Sequence, residues 1–505
     1  MKVKAGLTVF LALLIGMMIA VVFGFLEAAR VSGLKSNAQM QTMQAADSLL
    51  SEYQPGLWKD YDVLLWDASK SGADGAALRQ KQFLDQNRSV TEEKRMRLEY
   101  PFLELEASRI VVDAYEYATD RGGEPFREQA VLAAKEGLAE TAVKELSDAF
   151  SQKEEDSVQE ETIEQMEEEA GELDQKLEAG AENTEASEGE DLEEAESSDA
   201  DTSETLSLQQ KHALKKDNPI KWMIRMKKEG ILAVVMQDKP VSEKEMEHPD
   251  MLEKRTLQAG NFIHEKTGGS ADELWFLLYL QQHFSDASRE SMGGVFDYEL
   301  EYLIAGKPKD ADNLKSVVNR LLLMREGVNY IYLLHDSEKS GEALLLATAI
   351  DSAFGQPELA EPVKHAILLA WAYAESISDV RILLDGGKLW PVKTKAQWRT
   401  DLSDLSGSYH GEEGNPENSK GLTYTQYLQL LLMAEKKDKV TYRTMDMVEQ
   451  REGIRMDQMI SRMKCSYLFE APPLFWRFVT IGDHTFSGFA NQTDRTISFF
   501  PGEQN

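Results

Sequence analysis

The chain has 505 residues, with 88 acidic against 55 basic side chains, a formal net charge of −33 and a pI near 4.7. That length exceeds one ordinary core at roughly 100–200 residues per domain, and the acid excess excludes binding through the phosphate backbone of nucleic acid, which relies on clustered Lys and Arg. Cys465 is the one cysteine, so no disulfide closes within the chain and the residue reads as a small buried hydrophobe.

From Leu7 to Leu26 every residue is apolar, Gly or Thr, and about 20 such residues span a hydrocarbon core of roughly 30 Å. A single transmembrane anchor over residues 1–30 is expected. Lys2 and Lys4 place the short N-terminal tail on the cytoplasmic side and the body outside the cell membrane. Ala12, Gly16, Ala20, Gly24 and Ala28 recur every four residues and lay a small-residue strip along one helix face. The strip suits packing on another membrane helix, from a second copy or from an envelope partner.

Helical spacing through Val31–Tyr53 predicts a helix leaving the membrane, stopped by Pro55 and Gly56. Phe102–Tyr117 reads as a strand ending in the turn Asp120-Arg-Gly-Gly, and Phe126–Phe150 as helical. These form a membrane-proximal region, 31–152. Residues 154–204 are dominated by Glu, Asp, Ser, Ala and Gly and read as a solvated, disordered linker within 153–217, with helix over Ile163–Leu177 at most transient. The main region, 218–505, begins with a helix over Trp222–Met236 interrupted by Gly230, then a buried helix over Leu274–Phe284. Alternation of Phe296, Tyr298, Leu300, Tyr302 and Ile304 with Asp297, Glu299 and Glu301 predicts a one-sided strand with its acids facing solvent. Asp312 or Asn313 is expected to cap the following helix. A strongly apolar helix over Val363–Leu384 ends at Gly386-Gly387. Helices follow over Tyr424–Lys436 and Tyr442–Met463, and then a β-rich tail containing Tyr467, Phe469, Phe475, Phe478, Phe486 and Ile497. The expected class is α+β: one transmembrane helix and a helix-rich body with small antiparallel sheets.

Several strings in the chain resemble an uncharacterised membrane-anchored envelope family of clostridial Firmicutes whose members carry a tight-adherence (Flp-type) pseudopilin-like N-terminus. They are Gly6-Leu-Thr-Val-Phe-Leu-Ala-Leu-Leu, Leu26-Glu-Ala-Ala-Arg, Ala118-Thr-Asp-Arg-Gly-Gly, Tyr298-Glu-Leu-Glu-Tyr-Leu-Ile and Leu368-Leu-Ala-Trp-Ala-Tyr-Ala-Glu-Ser. The resemblance implies a single-span exported protein working beside tight-adherence pilus machinery, and it supplies no catalytic residues. Leu11 stands where true pilins place a Glu, which sets the chain apart from a polymerising pilin.

Motifs for phosphate cradling, zinc ligation by H-E-x-x-H and serine hydrolysis do not occur, so neither a cofactor nor a metal is expected. The candidate functional groups are Asp120, Arg127, Asn319, Arg320, Arg325, Glu375 and Arg381, read as a polar network that joins apolar helices. Two other classes stay open: a surface enzyme acting on wall or extracellular polymer, and an extracellular binding module.

Overall fold

The structure, a computed structural model, describes residues 2–94, 102–151, 160–188, 208–236, 239–246, 250–263, 269, 271–354, 357–405, 421–475, 480–481, 484–485 and 488–500. It is helix-rich with small antiparallel sheets. Two compact units are each assembled from separated segments: the first from Met1–Leu138, Asp250–Tyr279 and Lys437–Asn505, the second from Ala139–Pro249 and Leu280–Lys436.

The first unit is organised by one helix, Lys2–Leu50. Its apolar 18-residue window is entirely unburied and long enough to cross a membrane. Beyond Leu26 the same helix buries Leu34, Ala38, Ala45, Ala46 and Leu49; small Ala side chains let it lie close to a sheet. The central strand of that sheet, Met459–Ala471, pairs antiparallel with Trp66–Asp67, Glu106–Tyr117 and Phe489–Ser498. Met463, Cys465, Tyr467, Phe469 and Ala471 alternate onto its buried face, as the two-residue period of a strand dictates. Burying one Leu- or Phe-sized side chain contributes about 1.5–3 kcal/mol. Cys465 is fully buried in this core, which pushes its thiol up to about 11. The expected strand before Asp120 is found at Glu106–Tyr117. The helix expected through Met463 instead ends at Glu452, because Gly453 turns the chain with φ of +65°; Met459–Met463 belong to the central strand.

In the second unit, Asp310–His335 packs along Ala360–Leu384. Ala360–Leu384 is buried on nearly every side from Val363 to Val380, as an all-round apolar helix must be. Asp310, rather than Asp312 or Asn313, stands at the start of the first of these helices. Its carboxylate accepts from the backbone N–H groups of Asp297 and Tyr298 at 2.8 and 3.2 Å, while Asn313 exchanges hydrogen bonds with the Lys307 backbone.

Two further expectations are corrected by the structure. Glu299–Ala305 is a helix, not a strand, and Glu299 and Glu301 are buried. The alternation misleads because the acids have internal donors: Glu299 accepts from the Ser285 backbone at 3.0 Å, and Glu301 from the Ala287 backbone at 2.9 Å and the Tyr424 hydroxyl at 2.8 Å. Part of the acidic stretch is also folded. Glu160–Glu188 is a helix that buries Ile163, Ala170, Leu173 and Leu177 against the helices of the second unit. Residues 152–159 and 189–207 lie outside the described residues, as do Phe478 and Phe486.

Burial, followed by the nearby charge of Asp286, pushes Glu301 up to about 8 from an ordinary 4.5. A carboxyl raised in this way binds its proton more tightly in the folded chain. Its contribution is fully present below pH 4.5 and lost as pH rises through about 8. Glu301→Gln, which keeps the acceptor for Tyr424 and Ala287, should remove that loss. In thermal melts of wild type and variant across this range, the stability difference should swing toward the variant by on the order of a few kcal/mol between acid and alkaline pH; parallel curves would contradict a buried, titrating Glu301.

Candidate functional site

The Asp120-Arg121-Gly122-Gly123 turn links the strand Glu106–Tyr117 to a helix that runs to Gly137. Arg121, Gly122 and Gly123 all have positive φ, of +51°, +76° and +84°. For Arg121 the left-handed conformation costs roughly 1–2 kcal/mol. Carboxylates on both sides offset it: Glu116 at 2.5 Å and Glu124 at 2.9 Å. Asp120 fixes the turn by accepting from the backbone N–H of Tyr117 at 2.8 Å and of Gly260 at 3.0 Å. Burial nevertheless raises its pKa above the usual range.

This turn lines a cavity of about 470 Å³ within the first unit. Arg127 reaches into it, 2.5 Å from Glu273, with its guanidinium 4.1 Å above the Phe276 ring. Lys437 meets Glu273 at 2.6 Å and Lys135 meets Asp272 at 2.6 Å. Arg462, nearly buried over the Phe500 ring, bridges Glu116 at 3.1 Å and Glu128 at 3.2 Å. Burial pushes Glu273 and Asp272 upward, but Lys437 and Arg127 at the first and Lys135 at the second overcome it, and both carboxyls sit below their usual values. They are therefore ionised at neutral pH, which suits ion pairing and leaves neither as a general acid. Matched charges give the cleft directional hydrogen bonds without a strong net field.

The second unit holds a different arrangement. Arg325 donates to Asp379 at 3.0 Å, to the Pro391 carbonyl at 2.7 Å and to the Trp390 carbonyl at 3.2 Å. Asn329 donates to Ser376 at 2.9 Å and to Asp379 at 3.2 Å. Lys393 lies between Asp379, at 2.5 Å, and Glu375. Glu375 also accepts from the backbone N–H and hydroxyl of Thr400, each at 2.8 Å. Burial opposes the charge on Asp379, but Lys393 and Arg325 hold its pKa below the usual range. Arg325, Glu375, Asp379 and Lys393 are at most 5 % exposed, so this is an interior clamp that ties the segment around residues 390–400 to the two central helices.

The sequence candidates thus separate. Arg325 and Glu375 share the clamp. Arg320 pairs with Glu435 at 2.9 Å, Arg381 donates to the Val234 carbonyl at 3.1 Å and Asn319 is exposed. Arg127 lines the cleft of the first unit, and Asp120 fixes the turn beside it without lining it. Ala12, Gly16, Ala20, Gly24 and Ala28 lie on the unburied part of the long helix, and Gly16 has open space where a Cβ would be. Asp379 was legible as the i+4 neighbour of Glu375 on an apolar helix; Lys393, Glu273 and Arg462 gave no local signal.

Residues 209–471, just over half of the chain, match the model of a family of unknown function (DUF5702). No curated protein and no solved structure matches the chain.

The cleft depends on Gly123, where an added Cβ would come within 2.6 Å of Thr441 Cγ2 and 2.8 Å of Met445 Cε at φ of +84°. Gly123→Ala should therefore destabilise the chain by about 1–3 kcal/mol, read as a lower thermal midpoint. An unchanged midpoint would mean that the turn is not held in this conformation.

Proposed function

We propose that this chain, which belongs to that family of unknown function, is a single-pass membrane protein that holds its two units on the extracytoplasmic face as a non-catalytic binding or assembly component. The observation that carries the reading is the continuity of Lys2–Leu50: an unburied apolar run passes without a break into the core of the first unit. Such a helix is a rigid stalk, not a flexible tether. In support of a non-catalytic role, the strongest charge cluster of the second unit is closed to solvent, and the cleft of the first presents carboxylates already held by cations. The tight-adherence likeness of the Gly6–Leu14 and Leu26–Arg30 strings favours a place beside pilus machinery; genes for a secretion ATPase and pseudopilins flanking this one would support that link.

Topology is tested with cysteines at Ser71 and Ser352, one exposed position in each unit, in a Cys465→Ala background. A membrane-impermeant maleimide should label both in intact cells. Protection of both, with labelling restored on lysis, would put the units in the cytoplasm and overturn the extracytoplasmic reading.

A further inference from the structure

Glu27 and Arg30 follow directly on the apolar run, and both are buried, paired at 2.9 Å. Their remaining hydrogen-bonding capacity goes to two loops distant in sequence. Arg30 donates to the Phe102 carbonyl at 2.8 Å and to the Pro472 carbonyl at 2.9 Å, while Glu27 accepts from the Phe475 backbone N–H at 3.1 Å. The pair is therefore neutral as a unit and clamps both loops to the helix at the point where its surroundings change.

The loops bring the Phe475 and Phe102 rings to that level, with Leu103 next to them over Gly33. The Phe475 ring stacks on Phe23 with centroids 5.6 Å apart, and Phe102 meets Phe475 edge-on at 5.9 Å. Phe23 lies three residues inside the apolar run, so at 1.5 Å per residue the Phe475 ring sits about 4–5 Å inside its boundary. Phe25, Phe102 and Leu103 are 73, 43 and 38 % exposed. Apolar surface continuous with a lipid-facing helix, with its adjoining charges already neutralised, matches the headgroup boundary, where aromatic side chains anchor membrane proteins.

Resting on the single-span reading above, we propose that the Phe102–Leu103 and Leu474–Phe475 loops insert into the lipid interface as a collar around the helix exit, so that the first unit docks on the bilayer itself. The partner is the boundary between headgroups and acyl chains. Two inserted loops beside one helix would fix the helix's rotation and tilt, and with them the direction the sheet faces.

The test uses the full chain in phosphatidylcholine/phosphatidylglycerol vesicles, with an environment-sensitive fluorophore on single cysteines at Leu103, Leu474, Leu14 or Ser71 in the Cys465→Ala background. Labels at Leu103 and Leu474 should show blue-shifted emission and be quenched most by lipids carrying a nitroxide near the headgroup. The Leu14 label should be quenched most by a nitroxide deep in the acyl chain, and the Ser71 label by neither. Unquenched labels at Leu103 and Leu474, with Leu14 still quenched, would overturn the collar and leave the span intact. An unquenched Leu14 would overturn the span and the collar with it.

Discussion

The structure of the first unit depends on how the Lys2–Leu50 helix changes surroundings at Glu27 and Arg30. N-terminal to this pair the apolar window of the helix is unburied apart from the Phe475 ring stacked on Phe23; C-terminal to it, Leu34, Ala38, Ala45 and Leu49 form one wall of the core. A buried ion pair gains little by itself, because desolvation roughly cancels the attraction. Its value here lies in direction: one guanidinium and one carboxylate reach backbone groups of both neighbouring loops and set where the folded unit begins. The apolar run and this wall of the core are consequently one element, and a change that bends the helix near Arg30 disturbs both.

The second unit uses buried charge in another way. Ala360–Leu384 is buried and mostly apolar through its middle, where Glu375 and Asp379 project at i and i+4 with no exposure to solvent. Leaving either carboxylate unpaired there would cost several kcal/mol, so the helix accepts only a neighbour that brings cations and backbone donors. Arg325, Lys393 and the Thr400 backbone supply them. An apolar helix packs passably in several rotations; these two acids select one. The cleft of the first unit is built from partly exposed pairs instead, such as Lys135–Asp272 and Lys437–Glu273, which exchange partners at small cost. That difference in burial separates a closed structural clamp from a solvent-accessible cluster of ion pairs.

Much of this architecture was readable wherever local periodicity and burial agree. The apolar run, the helix around Trp222–Met236 with its break at Gly230, the buried Val363–Leu384 helix and the strand before Asp120 all follow from spacing and from Gly or Pro signals. The central strand Met459–Ala471 is different: its partner Glu106–Tyr117 lies some 350 residues away in sequence, and nothing local announces such a pairing. Phe296–Ile304 failed for another reason. Alternation reports exposure only when the polar residues face water, and Glu299 and Glu301 face buried donors.

The acidic helix shows composition and periodicity in direct competition. Between Glu160 and Leu177 acids dominate, with Lys176 the one base, and an average over such a window describes a chain that cannot bury enough apolar surface to fold. Yet Ile163, Ala170 and Leu177 are spaced by seven, with Leu173 between, and all four are buried in one stripe, the a/d pattern of a helix that packs on one side. The stripe sets where the helix lies, and charge then reinforces it: Lys227 meets Glu167 and also feels Glu326, whose carboxyl burial pushes up to about 7. The segment folds because a few correctly spaced apolar residues act on a surface already prepared for them, and a mean over the window cannot register that spacing.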